Sequence, residues 1–190
     1  MIQILDLVRK STLIVVARCD GRVAAGEVGG EPVRVVAVTL ERVLCGKTDA
    51  SRLLVITGPP CDGVRSPPLF RPGERDLLFL RRGPLVEAAC SAFALPADDA
   101  YELTELNSAF VLEADYRVDL FNNTFRRETG VNPQEHPDAI IGAVGTVCRF
   151  AVAREEDRPA ILQEIRREDG ILGPWLIYQL TQASEEAAYD

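Results

Sequence analysis

Residues 1–96 carry a succession of short apolar runs rich in β-branched side chains, each stopped by a turn signal, and this pattern restricts the chain more than any other feature. Thr12-Leu13-Ile14-Val15-Val16-Ala17-Arg18-Cys19 ends at Asp20-Gly21, a pair that tolerates positive φ. Three glycines within residues 26–32 are expected to form a loop, and the apolar stretch over residues 33–44 then reads as a strand of about 10 residues, long enough to bend or bulge. Arg52-Leu53-Leu54-Val55-Ile56-Thr57 supplies another strand, halted by Gly58-Pro59-Pro60. Pro72-Gly73 precedes Asp76-Leu77-Leu78-Phe79-Leu80-Arg81, which is apolar on both faces and therefore expected to be central. Residues 85–95 are expected to close the set. Consecutive strands separated by turns, without alternating helices, favour a small all-β barrel over an α/β sheet.

The second half differs in kind. Residues 1–96 hold 13 basic and 10 acidic side chains, residues 97–190 hold 8 and 19, so the net charge of −8 conceals a basic half and an acidic one. Every tyrosine and Trp175 lie beyond residue 100. A domain boundary is expected at Pro96-Ala97-Asp98-Asp99. Ala109-Phe110-Val111-Leu112-Glu113 and Tyr116-Arg117-Val118-Asp119-Leu120-Phe121 suit a hairpin, with residues 122–135 as polar connection. Pro137 is well placed to open a helix whose Ile140, Val144, Val147 and Ala151 share one face. Further helices are expected over residues 159–169 and after Pro174. The fold expected is thus α+β: a five-stranded barrel over residues 1–96, then a hairpin and a bundle of about three helices over residues 97–190, packed on the barrel.

The order of motifs in the first half resembles a known group. Val35-Val36-Ala37-Val38-Thr39-Leu40-Glu41-Arg42-Val43-Leu44-Cys45-Gly46, and then Phe70-Arg71-Pro72-Gly73-Glu74-Arg75-Asp76-Leu77-Leu78-Phe79-Leu80, are similar to the barrel of the netrin-module and tissue-inhibitor-of-metalloproteinase-like proteins, especially bacterial members. The resemblance covers residues 1–96 and implies a barrel of the oligonucleotide/oligosaccharide-binding topology, with extracytoplasmic use common. Animal inhibitors set an N-terminal cysteine on a protease zinc and hold the barrel with disulfides. Here the chain opens Met1-Ile2 and the cysteine pattern does not match, so protease inhibition is not carried over.

No cofactor or metal is expected. The only histidine, His136, stands between Glu135 and Asp138, yet one imidazole without a second nitrogen or thiolate is poor for zinc, and acids at a helix start answer the macrodipole. The five cysteines, at 19, 45, 61, 90 and 148, fit neither a paired framework nor a zinc pattern. Cys61 is the exposed-looking thiol, but nothing near it marks a nucleophile's elbow. Arg65, Arg71, Arg75, Arg81 and Arg82 could form a track for single-stranded nucleic acid. The absence of Tyr and Trp from the barrel and the net negative charge oppose this, and the same arginines could instead dock the acidic half. No apolar run approaches the roughly 20 residues that span a bilayer. The opening residues lack a signal-peptide pattern, which suggests the cytoplasm as the sequence stands, or an extracytoplasmic site if a signal has been removed.

The function expected is a non-enzymatic module that binds a protein partner at the proline-rich loop, with Pro59, Pro60, Arg65 and Phe70 as contacts, or on the helical face. The alternatives are a hydrolase with dispersed site residues, a structural homo-oligomer subunit and a weak nucleic-acid binder.

Overall fold

The computed structural model describes residues 3–58, 70–105, 108–113, 120–167 and 170–186. Its sheet is built from β1 (Leu13–Val28), β2 (Glu31–Cys45), β3 (Arg52–Thr57), β4 (Arg75–Arg81), β5 (Ala100–Leu103) and β6 (Ala109–Glu113). Its helices are α1 (Ile4–Lys10), α2 (Pro84–Phe93), α3 (Leu120–Thr129), α4 (Pro137–Val152), α5 (Arg158–Arg167) and α6 (Gly173–Glu186). The α+β class expected from sequence is found. The six strands run in the order β1-β2-β3-β5-β4-β6, and an additional β1–β4 pairing closes five of them into a ring.

The ring depends on two long, irregular strands. β1 and β2 form one hairpin whose turn is Gly29-Gly30, both at positive φ, so the glycine-rich loop expected over residues 26–32 is mostly strand. Register shifts near Ile14, Val16, Cys19 and Arg22 bend β1, which pairs with β2 along one edge and with β4 on the other. Bulges of this kind increase local twist and let a strand turn a corner. β3 runs antiparallel to β2 and parallel to β5, and β5 meets β4 at Leu80↔Leu103 and Arg81↔Glu102. β6 takes the rest of the same β4 edge, from Arg75 to Leu78.

Three sequence expectations are corrected. Residues 85–95 do not close the ring: Pro84 occupies the first helical turn, and Val86, Ala89 and Cys90, spaced three and one apart, form the buried stripe of α2. The closing strand is β5, beyond the composition break, so the change in charge near residue 96 does not mark where the sheet ends. Leu120 and Phe121, expected in the second arm of a hairpin, instead open α3, which runs on into the stretch expected as polar connection, and β6 pairs with β4. Residues 114–119 lie outside the described residues. The Asn122 side chain binds the backbone of β6: its Nδ2 donates to the Val111 carbonyl at 2.7 Å and its Oδ1 accepts from the Val111 N–H at 3.1 Å. An amide side chain thus satisfies the backbone groups a neighbouring strand would have taken.

The core lies in layers on either side of the sheet. Leu13, Val15, Ala17, Leu78 and Leu80 meet Val36, Val38, Leu53, Val55 and Tyr101 within the ring. The alternate residues Ile14, Val16, Leu77 and Phe79 point the other way, into a layer of α1, α3, α4 and α6. That cover explains why β4 is apolar on both faces. The rings of Phe110, Phe125 and Trp175 link β6, α3 and α6 by edge contacts, with centroids 5.1 and 5.0 Å apart. A smaller cluster beneath α2 joins Val86, Ala89 and Cys90 to Val33, Val35 and Ile56.

Candidate binding cleft at the foot of the proline-rich loop

Pro59, Pro60 and Arg65 lie outside the described residues, as does Cys61. Phe70, at the loop's C-terminal end, is described and is 4 % exposed, with its ring among the core residues of the five-strand ring. Its φ of 44° is unusual for a side-chain-bearing residue. The anchoring around it is dense. The Cys19 thiol donates to the Phe70 carbonyl at 3.1 Å, the Arg71 N–H donates to Glu74 Oε2 at 2.9 Å, and the Gly73 N–H donates to the Cys19 carbonyl at 2.7 Å. Burial pushes the Cys19 thiol up to about 11, with Asp76, Glu74 and Asp20 acting in the same direction, so it is protonated and unreactive at neutral pH. Phe70 therefore fixes the end of the loop and offers no surface to a partner.

At the loop's other end, next to Gly58, a cleft of about 550 Å³ opens between β3, β5, β4 and the start of α2. Ile56, Pro84, Leu85 and Leu103 supply its apolar walls, and Arg81, Glu102 and Glu105 its charge. Arg81 and Glu102 are opposed in the β4–β5 ladder, so the sheet register itself brings them together. Arg81 Nε donates to Glu102 Oε1 at 2.8 Å, and the Leu85 N–H donates to Oε2 at 3.1 Å. Two partners make the burial of this carboxylate, 5 % exposed, affordable in free energy. A Cβ at position 83 would collide with the Glu102 carboxylate, so Gly83 lets that side chain keep its place. Arg81 remains 44 % exposed at its side chain and presents its guanidinium at the rim.

Of the other arginines of the expected basic track, Arg75 and Arg82 are engaged by this chain's own acceptors, and Arg65 lies outside the described residues. Arg18 and Arg75 are direct neighbours across β1 and β4, a repulsive pairing that Glu41 and Glu113 resolve from the flanking strands. Arg18 reaches Glu41 at 3.1 Å and Glu113 at 3.2 Å, while Arg75 reaches them at 2.6 and 3.3 Å. Burial opposes ionisation of Glu41, but the guanidiniums of Arg75 and Arg18 outweigh it and hold the carboxyl below its ordinary value. Arg82 donates to the carbonyls of Ala97 and Asp98 and lies over the Tyr101 ring, 4.7 Å from its centroid. Glu102, Glu113 and the 97–98 backbone belong to the acidic half, so these contacts tie the basic half to it.

His136 is exposed and precedes α4, donating its backbone N–H to the Asn132 carbonyl at 3.1 Å. Asn132 Nδ2 donates to Glu135 Oε1 at 2.9 Å. Among the described residues no cluster of three His, Cys, Asp or Glu side chains could hold a metal ion, and no helix is long and apolar enough to cross a membrane. A second groove, about 450 Å³, lies between α3 and α6 against Trp175, Tyr178 and Ile171.

Sequence reasoning missed the Arg81–Glu102 pair because it placed Glu102 outside the sheet. The available signal was a lone glutamate inside the apolar stretch Ala100-Tyr101-Glu102-Leu103, following a Gly83-Pro84 helix start. No protein-family model matches the chain, and no curated protein matches it.

Proposed function

We propose that this chain is a non-enzymatic protein-interaction module of the netrin/inhibitor-like barrel type, and that the cleft beside Gly58 receives an extended segment of a protein partner. The observation that carries the proposal is the composition of that cleft: apolar walls from Leu85, Pro84 and Ile56 beside a half-exposed guanidinium held in place by Glu102. Binding sites combine apolar area with a few fixed polar groups, and a restrained arginine loses little freedom when it meets a partner carbonyl or carboxylate. The ring of five strands, with β3 parallel to β5, supports the barrel reading, although α2 falls between β4 and β5 and the ring extends past residue 96. The cleft adjoins Gly58, where the proline-rich loop begins, and a loop of that length in a compact domain serves either binding or connection.

The test is selection of peptides from a displayed library against the full chain, followed by affinity measurement on variants. Leu85→Asp in the cleft is expected to weaken the selected peptides at least about tenfold, or roughly 1.4 kcal/mol. Ile171→Asp in the α3–α6 groove is expected to leave them unchanged. Failure to select any peptide, or peptides indifferent to Leu85→Asp, would remove the cleft as the binding site.

A further inference from the structure

Cys45 is the last residue of β2 and lies opposite Ile14 in the β1–β2 ladder. Its position is tightly set. Gly46, directly after it, has φ +84° and packs so closely on the Thr12 carbonyl and Leu13 that no side chain fits there. Cys148 sits in the middle of α4, 3 % exposed, one turn beyond Val144 on the face that covers the sheet. The two cysteines come from opposite halves of the chain but share one hydrophobic layer, where Cys45 packs against the cluster that contains Cys148. Both thiols are free, and β2 packs directly on α4, with Cys45 the neighbouring titratable group that acts on Cys148.

Access differs between the two. Cys45 is partly exposed, whereas Cys148 is enclosed by the helical layer. A small disulfide from solution can therefore reach Cys45 first, with Cys148 positioned behind it as the resolving thiol. A disulfide requires close approach of two backbones with converging Cβ vectors, and packing has already supplied the neighbouring thiols. Neither Cys19 nor Cys90 has such a neighbour among the described residues: the one donates to the Phe70 carbonyl and the other to the Pro96 carbonyl.

We propose that Cys45 and Cys148 form a reversible disulfide that fastens α4 to the end of β2 whenever the chain meets a disulfide oxidant such as glutathione disulfide. The Cys45 thiolate attacks one sulfur of the oxidant and expels one glutathione thiolate, leaving a mixed disulfide. Cys148 loses its proton, attacks the Cys45 sulfur and expels the second glutathione. Two protein thiols thus give up two electrons and two protons, and one glutathione disulfide is reduced to two glutathione thiols. Burial, followed by the neighbouring Cys45, pushes the Cys148 thiol up to about 12, which makes the second step the slow one. The staple joins the ring to its helical cover, so its formation stabilises the packing of one upon the other.

The test uses the full chain, reduced and then equilibrated with glutathione disulfide. The intact mass is expected to fall by about 2 Da, two of the five cysteines should become resistant to alkylation, and one proteolytic cross-link should join the peptides carrying Cys45 and Cys148. The melting temperature should rise and return to the reduced value with dithiothreitol. Cys45→Ser, a conservative change at a partly exposed position, should abolish the mass loss and the shift. An unchanged mass, an accumulated glutathione adduct at Cys45, a cross-link between any other pair, or persistence of the mass loss in Cys45→Ser would overturn the proposal. The peptide map of the unmutated chain decides the matter even if the variant folds poorly.

Discussion

The two ends of β1 belong to one hydrogen-bonded strand but to different environments. From Leu13 to Ala17 every residue is buried, because the ring interior takes Leu13, Val15 and Ala17 while the helical layer takes Ile14 and Val16. Beyond Cys19 the strand continues against β2 to Val28, and most of its side chains face solvent. Backbone pairing alone therefore sets how far a strand extends, and what packs on its two faces sets how much each residue contributes to stability. The same contrast separates β4, enclosed on both sides, from the turn at Gly29-Gly30, where a Cβ on either glycine would meet nothing within 4 Å.

That contrast can be tested most severely by truncation. Phe79 is fully buried on the covered sector, its ring tilted against that of Phe110 with centroids 6.3 Å apart, whereas Val23, 46 % exposed, lies on the open end of β1. Phe79→Ala is expected to cost about 3–5 kcal/mol, enough to unfold a marginal domain, and Val23→Ala no more than about 0.5 kcal/mol, both by urea denaturation. Similar losses at the two sites would show that the helical layer contributes little to the sheet beneath it.

A smaller effect is expected at the edge of the covered sector. Asn122→Ala removes both hydrogen bonds to Val111 and leaves a buried backbone N–H and C=O without that partner. The loss should be about 1–3 kcal/mol, accompanied by faster amide exchange at Val111. Unchanged exchange would mean that the strand edge is satisfied by other means.

The smallest effect concerns the charge row on the sheet surface, where Glu41 bridges Arg18 and Arg75. Because the folded state holds the Glu41 carboxyl below its ordinary value, its contribution is present above the unfolded-chain pKa of about 4.3 and is lost as pH falls through the lower folded value. Wild type should exceed Glu41→Gln in stability by about 1 kcal/mol or less at neutral pH, and the gap should close on acidification and in high salt. A gap that widened at low pH would contradict the pairing.

Legibility in the sequence followed locality. The strands at Leu13, Val33, Arg52 and Asp76 and the helix opened by Pro137 were readable because periodicity, β-branching and turn residues are encoded within a few neighbours. Residues 85–95 were misread because a short apolar stretch suits a buried strand or a buried helix, and Pro84 was the only local arbiter. Of the loop residues expected as contacts, Phe70 turns inward, and the cleft beside Gly58 depends on Arg81 and Glu102, which are distant in sequence.

Sequence by itself determined the α+β class, the positions of most strands in the first half and the helical character of the C-terminal third, since each follows from local side-chain pattern. Only the tertiary structure decided which strand closes the ring, that Arg81 and Glu102 are neighbours, and that Cys45 and Cys148 share one hydrophobic layer. Those outcomes arise from register and layer packing between segments far apart in the chain, where small differences in burial among many competing arrangements select one, and no short-range pattern encodes them.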